Sequence, residues 1–205
     1  EILCRDEQLG MEVVLSYSVF EDIDVIARHV EVANRGAERI FLEKVSSMSL
    51  DMDNCCFEAL TLHGSWAKEC HRERRPLGTG YQGILSRRGI SGHQDHPFMA
   101  LLTPGASQES GEVYGVQLVY SGSYEIRAEV SQFGTVRWQA GLEGEDFCWA
   151  LAPGERFASP EALLTYSDRG LDGMTGSYHD FIRLMEETFS RKIRSAPRFA
   201  TSTCL

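Results

Sequence analysis

MEVVLSYSVFEDIDVIARHVEVANRG, residues 11–36, decides the fold. In its first half Val13, Leu15, Tyr17 and Val19 fall on one face, with Ser16 and Ser18 on the other. In its second half Ile26, Val30 and Val32 share a face, and His29 and Glu31 share the opposite one. A period of two marks strands covered on one side. The Asn34-Arg35-Gly36 turn tolerates left-handed backbone and closes the unit. The same alternation returns in RIFLEKVSSMSLDM (39–52), YEIRAEV (124–130) and TVRWQAG (135–141). VYGVQLVY (113–120) is apolar on both faces, which suits a strand buried between two layers.

Turn residues punctuate the chain at intervals of roughly 8–15 residues, the spacing of a multi-stranded sandwich. One segment reads as a helix, Ser177 to Ile193, where Phe181, Leu184, Met185, Phe189 and Ile193 recur at helical spacing and Arg183, Glu186, Glu187 and Arg191 face outward. Cys70 to Gly83 is charged and rich in Gly and Pro, and is expected as a long loop. Trp138 and Trp149 stand on apolar faces and are expected in the core. These features predict an all-β fold, a twisted antiparallel sandwich with a C-terminal α-helix.

The chain has 205 residues, 42 % of them hydrophobic, enough for one large core. Its net charge of -10 argues against nucleic-acid or anionic-membrane partners, which need clustered Lys and Arg. No run approaches the ~18 apolar residues of a membrane span. The opening EILCRDEQLG has no signal-peptide core and begins as if mid-strand, so a piece of a longer polypeptide is expected. The six cysteines form no CxxC pairs, and a reducing, cytoplasmic compartment is expected.

The stretch SRRGISGHQDHPFMAL, residues 86–101, gathers the most chemistry. His93, Asp95 and His96, with His63 and His71 upstream, offer metal donors, but the spacing fits no HExxH helix or Cys/His zinc set. Pro97 also pushes His96 toward an extended backbone. A shaped, hydrogen-bonded loop leading into a core strand is the reading, with no metal. Arg87 and Arg88 close a strand before Gly89; one of them suits an acidic partner within the fold, the other a partner domain or subunit. Glycoside hydrolysis needs two carboxyl groups about 5–9 Å apart. The acids Glu143, Glu145, Asp146, Glu155, Asp168 and Asp172 lie in turns, where solvated acids belong anyway. GTGYQG (78–83) has no helix after it and reads as a loop feeding a strand. Trp66, between a strand-like run and charged residues, either packs in a core or interface or stacks on a sugar; packing is favoured.

The series LHGSWAKECHRERRPL, SRRGISGHQDHPF, GEVYGVQLVYSGSY, WALAPGERFASPEALLTYSDRGLDGMT and SYHDFIR resembles, in order and spacing, the N-terminal domain of family 36 glycoside hydrolases, the large bacterial and fungal α-galactosidases. Gly92, His96 and Ser123 depart from that pattern, and APRFATSTCL (196–205) stands where the family's first barrel strand, with Asn-Trp-Glu, is expected. The resemblance implies a β-supersandwich over residues 1–175, incomplete at its start. Residues 176–205 are then a helix and linker leading into an absent TIM barrel that carries both catalytic aspartates. It implies terminal α-linked galactose, as in melibiose and raffinose, as the full enzyme's substrate, a homo-oligomer, no cofactor, and no catalytic residue in this chain. It also implies Trp66, Arg87, Arg88, His93 and His96 as possible sugar, barrel or subunit contacts. An autonomous carbohydrate-binding module is the competing expectation. A sandwich without its barrel is further expected to expose apolar surface and self-associate.

Overall fold

The computed structural model describes residues 1–145 and 147–195. Strands β1 (Ile2–Asp6), β2 (Met11–Phe20) and β3 (Val25–Asn34) open it as a meander, with a 3-10 turn at Glu21–Ile23. There follow β4 (Ile40–Leu42), β5 (Ser46–Met52), β6 (Glu58–Ser65), β7 (Lys68–Pro76), β8 (Gly80–Ser86), β9 (Asp95–Leu102) and β10 (Val113–Val119). The remaining strands are β11 (Tyr124–Val130), β12 (Val136–Leu142), β13 (Trp149–Leu151), β14 (Arg156–Ala158) and β15 (Glu161–Ser167), before helix α1 (Gly170–Ser195). Among the described residues they form three antiparallel sheets. The large one has nine strands, ordered β1-β2-β3-β15-β10-β9-β6-β7 with β14 also on β3; a second runs β5-β12-β11-β8; a small one pairs β13 with β4.

The alternation seen in the sequence sets the layers. Val13, Leu15, Tyr17 and Val19 stand opposite Val32, Val30, Arg28 and Ile26 across the β2–β3 ladder, so one face of this pair is apolar but for Arg28. Strand β10 is covered twice. Val116 and Leu118 join Met48, Ile126 and Trp138 in the core between the large and four-stranded sheets. Val113, on its other face, packs with Leu171, Met174, Tyr178 and Phe181 of α1. Fully buried side chains such as Trp138, Met99 and Leu101 each contribute roughly 1.5–3 kcal/mol or more by leaving water. Gly115 lets the helix approach: a Cβ there would lie 2.8 Å from Met174 Sδ and 3.0 Å from the Tyr178 hydroxyl.

Three expectations are corrected. The charged stretch from Cys70 is no long loop: β7 and β8 occupy it, with only residues 77–79 between them. Strand β7 is an outer edge of the large sheet, where backbone pairing with β6 holds a segment whose charged side chains stay in water and discourage edge-to-edge association. Helix α1 begins at Gly170, not Ser177. Its glycine-rich first turns hide the apolar period, and loop carbonyls anchor the start: Gly170 N–H donates to Gly111 O (2.9 Å), Leu171 to Ser107 O (3.2 Å) and Asp172 to Gln108 O (2.9 Å). Trp149 is half-exposed rather than core, because β13 is a three-residue strand at the margin, where its ring leans on Phe157 at 5.5 Å. Expectations placed on Asp146, on the side chains of Phe189, Arg191 and Ile193, and on residues 196–205 lie outside the described residues.

Candidate functional site

Of the residues singled out in the sequence, Trp66, His93 and His96 lie at one corner of the large sheet, where the β6–β7 hairpin borders the loop before β9. Strand pairing sets His63 of β6 beside Asp95 of β9 and His71 of β7. The imidazole Nδ1 lies 2.8 Å from Asp95 Oδ1, and Nε2 lies 2.7 Å from Thr61 Oγ1 and 3.4 Å from Glu73 Oε2. The Tyr124 hydroxyl donates to the Asp95 carbonyl at 2.8 Å. Burial, with the Asp95 charge nearby, pushes that phenol far above its ordinary value, so it stays a donor. A hydrogen bond from Arg75 holds the Glu73 carboxyl below its usual range, with the charges of Arg75, His63 and His71 adding to it.

Hydroxyl, imidazole and carboxylate follow here in the order of a hydrolase triad. Thr61, however, sits mid-strand with Glu73 on one side and Met99 on the other, so its neighbouring backbone N–H groups serve the ladder and form no oxyanion hole. The cluster instead ties β6, β7 and β9 together through side chains. Among the described residues no group of three or more His, Cys, Asp and Glu side chains converges as a metal site.

The loop from Arg87 to Gln94 is shaped by hydrogen bonds. Ser86 Oγ donates to Ile90 O (3.0 Å), Gly89 N–H to Ser123 Oγ (2.9 Å), Ser91 N–H to Ser121 O (2.8 Å), and Gly64 N–H to Gln94 O (3.0 Å). Arg87 is the arginine with an internal acidic partner: its Nε lies 3.4 Å from buried Glu143, and its terminal nitrogen pairs with Glu145. Arg88 and His93 are exposed. The His93 carbonyl would be 2.8 Å from a Cβ at Gly64, so loop and hairpin touch through backbone. His96 Nε2 lies 3.5 Å from Cys70 Sγ.

Trp66 departs from the favoured packing. At the hairpin tip, two residues beyond Gly64 and beside Ala67 with its left-handed φ of 63°, it is 85 % exposed. The tight turn throws the ring outward, and nothing in the local sequence reports that direction. Trp66, His93 and His96 thus lie around one corner, whereas Arg87 points toward the turn at Glu143. Sequence reasoning undervalued His63, Asp95 and Tyr124, which become a unit only once β6 is known to pair with β9.

Residues 1–152 match the profile of the glycosyl hydrolase family 36 N-terminal domain. The chain is 45 % identical over 183 residues to α-galactosidase AgaA of Geobacillus stearothermophilus, covering 89 % of this chain and 25 % of that protein. It is 39 % identical over 195 residues to α-galactosidase Mel36A of Lactobacillus acidophilus, covering 94 % and 27 % respectively. The fold superposes on the crystal structure of an AgaA variant in complex with stachyose with a TM-score of 0.85, at 44 % identity over 87 % of this chain and 25 % of that one. The chain therefore spans about a quarter of the length of the relatives it matches.

Proposed function

This chain belongs to the glycosyl hydrolase family 36 N-terminal domains, and from that premise we propose that it is the non-catalytic sandwich of an α-galactosidase. In this reading it supports a catalytic TIM barrel and the enzyme's oligomeric assembly. The enzyme removes terminal α-linked galactose from oligosaccharides such as melibiose and raffinose. Residues 1–175 are the supersandwich, and residues 176–205 are the connection to the barrel. One observation carries the reading: the match runs over nearly the whole chain yet takes in only a quarter of each relative. Exposed Trp66 and His93 at the hairpin corner, with His96 beside them, and exposed Arg88 in the loop after β8 are the side chains assigned to barrel or neighbouring-subunit contact. A cytoplasmic location accords with the unpaired thiols of Cys4, Cys55, Cys56, Cys70 and Cys148.

The test is a chimera in which this chain replaces the matching quarter of the Geobacillus enzyme. Hydrolysis of p-nitrophenyl α-galactoside and oligomer formation are expected, and both should be lost when the domain is deleted. Activity and assembly indifferent to the domain would refute the assignment.

A second reading, an autonomous sugar-binding module, is favoured by the exposed rings of Trp66 and Tyr81. Calorimetry against galactose, melibiose and raffinose decides it: heat that disappears in Trp66→Ala supports it, and none at millimolar sugar removes it.

A further inference from the structure

We infer that the cavity between helix α1 and the outer face of the large sheet binds a small organic anion, one apolar ring carrying a carboxylate or phosphate head. The inference stands on this cavity and not on the α-galactosidase reading. Helix α1 packs chiefly on β15 and β10, where Gly115 lets it come close. Over β6 and β7 it leaves a cavity of about 360 Å³. That volume is at the small end of ligand pockets and suits one ring. Strand alternation decides what faces it. Arg72 of β7 stands opposite Leu62 of β6, and Phe98 of β9 opposite Gln117 of β10, and all four line the cavity. His71 and Glu73, the neighbours of Arg72, fall on the other face of the sheet. The helix contributes His179 and Ile182.

The lining has two characters. Leu62, Phe98 and Ile182 supply apolar wall, and the Phe98 ring is held edge-to-face by Tyr178, with centroids 6.4 Å apart. The polar part is rich in donors. Gln108 is committed to Asp172, and the His96 imidazole lies against Cys70. Arg72, Gln117 and His179 make no side-chain hydrogen bond or ion pair among the described residues. No Asp or Glu among the described residues lines the cavity. This sets it apart in a chain whose acids outnumber Lys and Arg by 30 to 20, and where Arg5, Arg74, Arg87 and Arg137 each pair with a carboxylate. A guanidinium left without an acid presents a donor fork that matches carboxylate or phosphate oxygens. The Gln117 amide and the His179 imidazole add N–H donors for the oxygens that remain. A neutral ligand would give the guanidinium no counter-charge, and an inorganic ion would leave the apolar wall in water. One ring with an anionic head answers both.

Calorimetry on the purified chain, titrated with phenyl phosphate, benzoate, inorganic phosphate and benzyl alcohol, tests the site. At least one of the two ring anions should bind with millimolar affinity or better. It should lead benzyl alcohol, which lacks the charge, and inorganic phosphate, which lacks the ring, by about tenfold or more. Arg72→Gln should weaken that binding by about tenfold or more, the effect of one charge-assisted contact. Arg72 and His179 are both exposed, so Arg72→Gln and His179→Gln should leave the thermal midpoint within about 2 °C, which separates lost binding from lost folding. Arg75→Gln, on the opposite face of β7, removes the same charge and should leave the affinity unchanged. No binding of either ring anion at millimolar concentration overturns the inference. So does binding that survives in the Arg72→Gln/His179→Gln double variant. Binding by the chain that is lost in the chimera overturns it too, because the enzyme's own polypeptide would then fill the cavity. A chimera that binds the ring anion but releases no galactose sustains the site and refutes the functional reading; one that releases galactose without binding refutes the site alone.

Discussion

Two tryptophans give a sharp contrast in stability. A buried aromatic side chain removes about 150–250 Å² from water, at roughly 25 cal/mol per Å². Trp138 is 1 % exposed among Met48, Ile126 and Val116. Trp138→Ala should therefore cost about 3–5 kcal/mol, the range for large core aromatics once the residual cavity is included. Trp66 is 85 % exposed, so the remaining 15 % (100 − 85) corresponds to some 25–40 Å². Trp66→Ala should then cost under about 1 kcal/mol. Urea unfolding followed by far-ultraviolet circular dichroism measures both, with the slope checked for constancy so that midpoints convert to stability. A loss above about 2 kcal/mol for Trp66→Ala would mean the ring is packed. A loss below about 1 kcal/mol for Trp138→Ala would mean the two sheets do not close on it.

Other consequences follow from particular contacts. The Tyr124 and Tyr178 phenols are pushed upward by burial, from an ordinary value of 10.0, and donate to Asp95 O and Leu163 O. The unfolded chain therefore loses these protons first: stability holds below about pH 10 and falls above it, and the Tyr124→Phe/Tyr178→Phe double variant should flatten that alkaline slope in urea midpoints taken between pH 8 and 11. A slope unchanged by the variant would contradict the burial. Gly115→Val should destabilise by about 1–3 kcal/mol by driving α1 off the sheet, seen as a lower thermal midpoint; a neutral result would mean the helix does not dock there. Arg87→Ala strands the buried Glu143 carboxylate, but the arginine is 42 % exposed, so the loss should be about 1 kcal/mol or less and shrink at high salt. Salt-independent loss would point to lost packing instead.

The all-β architecture was legible because alternation survives wherever one face is covered, as in β2, β3, β11 and β12. β7 was not, since an exposed edge strand of Lys, Glu and Arg carries no apolar period for a sequence to display. The helix start was hidden for a related reason: Gly170 lies tight against the loop at Ser107–Ser110, and with Gly173 and Gly176 it dilutes the apolar pattern of the first turns. The shaped loop at 86–94 was readable from its turn residues and Pro97, and Arg87 as the internally paired arginine fits one of two roles left open. The outward throw of Trp66 and the joining of His63 to Asp95 depend on a bulged hairpin and a β6–β9 pairing that local residues do not encode. Trp149 misled because a three-residue marginal strand alternates just as a core strand does.

The most direct test of the account is the activity of the purified 205-residue chain on p-nitrophenyl α-galactoside, set against the chimera on an equal molar basis. The account predicts no release above the enzyme-free rate from the chain and ready release from the chimera. Galactoside hydrolysis by the chain alone, persisting through rigorous repurification, would contradict it.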